Sequence, residues 1–118
     1  DLPPADLVPL LKMAIKSHNF AFIRHQTLYE DLPGDAAEDP VHILHFCRFG
    51  MLHKAVQEER RVGAFLPCQI TVSRREGHTV MSAINPKALS PLFHNPEIEL
   101  HCSLVSKKYL AIMREADF

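Results

Sequence analysis

The residues with the most chemical reach in this chain are three cysteines, Cys47, Cys68 and Cys102, and eight histidines, His18, His25, His42, His45, His53, His78, His94 and His101. Cys47 and Cys68 lie 21 positions apart, each on or beside a predicted strand. If those strands are neighbours, the two Cα atoms can fall in the roughly 4.4–6.8 Å range that a disulfide needs. The pair would then be a redox couple. His45 shares a strand face with Cys47 through the period of two, so His45, Cys47 and Cys68 are also a candidate metal set. Thiolate plus imidazole suits zinc or copper. The third reading is that the thiols are buried as small apolar side chains, the commonest fate of cysteine. His101 and Cys102 are a possible accessory pair, although neighbours on a helix point about 100° apart.

Other motifs are missing. There is no CxxC, no haem-attachment CxxCH and no HExxH. Axial haem ligation by His45, His53 or His101, with Met51 or Met81 opposite, has no supporting spacing. The stretch Glu30 to Pro40 holds Glu30, Asp31, Asp35, Glu38 and Asp39 without the alternation of a calcium loop, and reads as a solvated acidic loop. No nucleophile elbow, glycine-rich phosphate loop or paired-carboxylate arrangement is present, which argues against a conventional hydrolase or phosphoryl-transfer enzyme.

The elements that must position these residues follow from periodicity. Leu7, Leu10, Leu11, Ala14 and Ile15 make the stripe of an amphipathic helix over Pro4 to Ser17, with Asn19 as its stop. Phe20 to Leu28 and Val41 to Phe46 read as strands, and Phe49 to Glu59 as a short helix. Ala64 to Ser73 alternates as a strand, turns at Arg74 to His78 and returns over Thr79 to Ile84 until Asn85-Pro86 breaks it. Pro91 to Asn95 reads as loop with room for one helical turn. Asn95 is a helix cap with Pro96 at the first position, and helical spacing then runs to the C-terminus. The order implies an α+β fold, a small mixed or antiparallel sheet covered by helices.

At 118 residues the chain is expected to be a single domain, residues 1–118. Thirteen basic residues against 14 acidic give a net charge of −1, which argues against a phosphate-dominated nucleic-acid binder and a polybasic membrane module. No apolar run is long enough to span a membrane. The start Asp1-Leu2-Pro3-Pro4 suggests a processed or trimmed terminus, which fits a cytoplasmic protein or a periplasmic one after signal removal.

Ile43-Leu44-His45-Phe46-Cys47, Phe65-Leu66-Pro67-Cys68, the hairpin and the closing Ala83-Ile84-Asn85-Pro86 together resemble the bacterial and archaeal family called domain of unknown function 302. Leu92-Phe93 and Ile112-Met113-Arg114-Glu115-Ala116 share the likeness. The resemblance implies a TATA-binding-protein-like two-layer sandwich and a tendency to form homodimers. It implies no established reaction. The family pattern opens with a strand before the first helix, which this chain does not show. That sheet edge is absent, supplied by a partner subunit, or outside the sequence.

Three functions follow in order. The first is a non-enzymatic module that binds a small ligand or a partner on its sheet or in a cleft between helices, with Cys47 and Cys68 close by. The second is a thiol-redox, metal- or haem-handling protein built on Cys47, Cys68 and His45. The third is a hydrolase or isomerase working through histidine and a carboxylate.

Overall fold

The computed structural model of the chain describes residues 2–28, 40–61 and 68–117. In chain order the elements are α1 (Pro4–Ser17), β1 (Ala21–Leu28), β2 (Val41–Cys47), α2 (Phe49–Glu58), β3 (Cys68–Arg75), β4 (His78–Ser82), α3 (Pro86–Leu89), a 3-10 turn (Ser90–Phe93) and α4 (Pro96–Ala116). The four strands form one antiparallel sheet in the order β1-β2-β3-β4. This is the expected α+β architecture, with every strand pair antiparallel. The expected acidic loop, apart from Pro40, and the expected strand residues Ala64 to Pro67 lie outside the described residues.

The turns explain the boundaries. Asn19 ends α1 in a left-handed conformation, φ 64°. The Phe20 amide then donates to the Ile15 carbonyl and the Asn19 amide to the Lys16 carbonyl. These are the two bonds of a Schellman stop, in which asparagine stands in for the usual glycine. Pro9 lies inside α1 on its exposed side, where the carbonyl left without a donor can be solvated. β3 and β4 meet through Glu76 and Gly77, at φ 52° and 80°, the two-residue turn whose twist matches antiparallel strands. The strands therefore run closer to the turn than their residue types suggest, and Arg75 pairs with His78.

β4 ends at Ser82, two residues short of the expected Ile84, and Asn85-Pro86 begins something the sequence reading passed over. Asn85 caps α3, its Oδ1 accepting from the Lys87 amide, with Pro86 at the first position. A four-residue helix is too short for a periodic signal. Asn95 caps α4 as expected, accepting from the amides of Glu97 and Ile98.

The core lies between one face of the sheet and the pair α1 and α4. Leu44 and Phe46 of β2 and Ile70 and Val72 of β3 meet Leu11 and Ile15 of α1 and Ile112 of α4, all fully buried. Phe46 is the hub, edge-on to Phe20 with centroids 5.3 Å apart and to Tyr109 at 5.7 Å. Ser17 and His18 both bond Glu115, tying the C-terminal ends of α1 and α4 together. On the other sheet face Gln69 is exposed, and Thr71 and Ser73 are half-buried.

Candidate ligand cleft and the thiol cluster beneath it

β2 and β3 are adjacent, as the cysteine reading required. Their register sets Phe46 opposite Cys68, so Cys47 and Cys68 are offset by one residue across the ladder. Both are buried, and both are free thiols. Cys68 is joined to α4 rather than to Cys47. The Tyr109 hydroxyl lies near its sulfur and lowers the thiol's pKa, and the Gln69 amide lowers that of the phenol. Burial pushes the Cys68 thiol up to about 11; the Tyr109 bond offsets part of that shift, and the nearby Cys47 adds to it. Tyr109 is raised too, first by burial and then by Cys68. Burial also raises Cys47 and Cys102. Reactive thiols are depressed by cationic neighbours or a helix N-terminus. These shifts run the other way.

His45 is not gathered to the thiols. It is buried, and its Nε2 faces Gln26 Oε1 at 3.2 Å across the β1–β2 ladder. Its pKa is lowered, first by burial and then by Arg24. Among the described residues no three His, Cys, Asp or Glu side chains converge to hold a metal ion. His101 and Cys102 stand apart on the first half of α4. His101 is half-buried, and its pKa is lowered by burial and by Lys54.

Above Tyr109 the surface opens into a cleft of about 140 Å³ between α4 and the link that joins β4 to α3, lined by Ala83, Ile84, Asn85, Ser106, Tyr109, Leu110 and Met113. Its walls are apolar and its rim is polar. At the rim Ser106 donates from Oγ to Asn85 Oδ1, and the Lys87 amide lies 3.1 Å from both oxygens. The Asn-Pro signature therefore fixes one lip of the cleft to α4. Both of the bonds made by Asn85 use Oδ1, which leaves its amide nitrogen as the rim's donor. Ile84 and Leu110 are exposed at the mouth, while Tyr109 is buried at the base.

Sequence reasoning did not reach this cleft. Tyr109 reads only as one member of the α4 stripe, and nothing local shows that its hydroxyl meets Cys68. A second feature was also missed. His25 Nε2 and His42 Nδ1 face each other at 2.8 Å. The two are 17 positions apart across the β1–β2 connection, and only the register brings them together.

The chain is similar to known proteins over nearly all its length. Residues 1–116 match the sequence profile of the domain of unknown function DUF302. The crystal structure of an uncharacterised conserved DUF302 protein from Bacillus stearothermophilus is similar at a TM-score of 0.86 and 20% identity, over 98% of this chain and 92% of that one. No protein of curated function matches. With its antiparallel sheet, its Asn85-Pro86 lip and a profile match that spans both, the chain belongs to the DUF302 family.

Proposed function

We propose that this domain is a non-enzymatic binding module whose ligand sits in the cleft over Tyr109. The cleft carries the reading. Its volume of about 140 Å³ is close to that of cavities that take a benzene-sized molecule, roughly 150 Å³. The apolar walls of Ile84, Leu110 and Met113 suit a ring or a branched alkyl group, and the Asn85 amide suits one acceptor atom beside it. The thiols below have the high pKa of packed, unreactive groups, which weighs against a redox role for Cys47 and Cys68.

A homodimer is part of this reading. The family resemblance implies one, and α4 offers a surface for it. Leu100 and Leu104, one helical turn apart, are 65% and 49% exposed.

Calorimetric titration with benzyl alcohol tests the binding reading. Saturable binding to the wild type and its loss in Ala83→Phe, which fills the cleft, support it. Equal heats from both proteins overturn it.

A further inference from the structure

From the facing rings of His25 and His42 we infer a two-histidine chelate for a divalent transition metal on the helix-facing side of the β1–β2 ladder, completed by solvent. The register makes the placement. His25 pairs with Leu44 and His42 with Thr27, so the two histidines are diagonal neighbours on one sheet face. Their rings are tilted by 31° with centroids 5.0 Å apart, and His25 Nε2 lies 2.8 Å from His42 Nδ1. Zinc–imidazole bonds of about 2.0–2.1 Å at a tetrahedral angle set two ligating nitrogens about 3.3 Å apart. To admit the ion the rings must part by about half an ångström, and each must turn its lone pair off the line joining the two nitrogens. His42 is buried and so held in place, whereas His25 is exposed and gives the ion its route from solvent.

The proton balance is simple. In the metal-free pair one ring donates its N–H to the other. On binding, that proton moves to the far nitrogen of its own ring, so His25 Nε2 and His42 Nδ1 both present lone pairs and no proton is released. Both pKa values are lowered, His42's by burial and His25's by partial burial and then by His42 and Lys12, which favours the neutral form that a metal requires. Lys12 of α1 faces His25 as a positive charge and works against the ion, so its removal should tighten binding.

The test is titration of the full chain with Zn2+, followed by long-range 1H–15N spectra of the imidazoles. The site predicts saturating shifts at His25 Nε2 and His42 Nδ1. It also predicts at least tenfold weaker binding in His25→Ala and His42→Ala, tighter binding in Lys12→Gln, and unchanged binding in His18→Ala. His25 is exposed, so His25→Ala keeps the test open if His42→Ala does not fold. Zinc shifts at other histidines with these two unmoved, or full affinity in His25→Ala, overturns the site.

Discussion

Cys68 is where burial and chemistry are most tightly coupled. Its folded pKa of about 11 stands above the ordinary value of 9.0, because burial disfavours the thiolate. Between those values the unfolded chain gives up the proton and the folded chain keeps it. The unfolded state then binds fewer protons, so stability falls as pH rises from about 9 to about 11. Tyr109 is raised as well and deepens the fall above pH 10. Urea unfolding from pH 8 to 11 should show this decline, and Cys68→Ala should flatten its lower part. That variant also loses packing, a cost of about 1–3 kcal/mol at every pH. A decline of the same slope in Cys68→Ala contradicts the assignment. At this scale the sequence was partly legible. That β3 lies beside β2 was only a condition of the cysteine reading; the placement of Cys47 and Cys68 on or beside strands followed from the sequence pattern. The Tyr109 hydroxyl did not, because a contact between a strand and a helix 41 positions downstream leaves no local trace.

Elements were legible wherever a cap or a stop residue marked them. Asn95-Pro96 announced α4, and Asn19 announced the end of α1. The misses have equally plain causes. α3 is shorter than the period that would reveal it. The hairpin turn was read as wider than it is because Glu76 adopts a left-handed conformation that its residue type disfavours. That misfit makes a prediction. The left-handed region costs an L-residue roughly 1–2 kcal/mol, and asparagine tolerates it better than glutamate. Glu76→Asn should therefore stabilise the protein by up to about 1 kcal/mol, and Gly77→Ala should destabilise it by about as much or more. Denaturant midpoints with unchanged slopes check both.

At the scale of the whole molecule the chain is extended. Its radius of gyration is 15.2 Å, against about 13.5 Å for a compact chain of this length. The 21-residue α4 contributes, at about 1.5 Å per residue. A helix that long keeps Leu100 and Leu104 in water unless a second copy covers them. Sedimentation equilibrium should give a dimer for the wild type and a monomer for the Leu100→Glu, Leu104→Glu double variant. A wild-type monomer at tens of micromolar contradicts this. The family resemblance supplied the two-layer architecture in advance, but not the cleft. Asn85 lies on the link between β4 and α3, Ser106 and Met113 lie two turns apart on α4, and only the packing of that link against α4 makes them one surface.

The central claim is that this surface holds a ligand, and its most direct measurement is methyl NMR. The methyls of Ile84, Leu110 and Met113 would be followed as benzyl alcohol is added. Shifts that saturate, stay confined to these three and vanish in Ala83→Phe are the predicted result. No saturable shift at millimolar ligand, or shifts centred elsewhere, would contradict it.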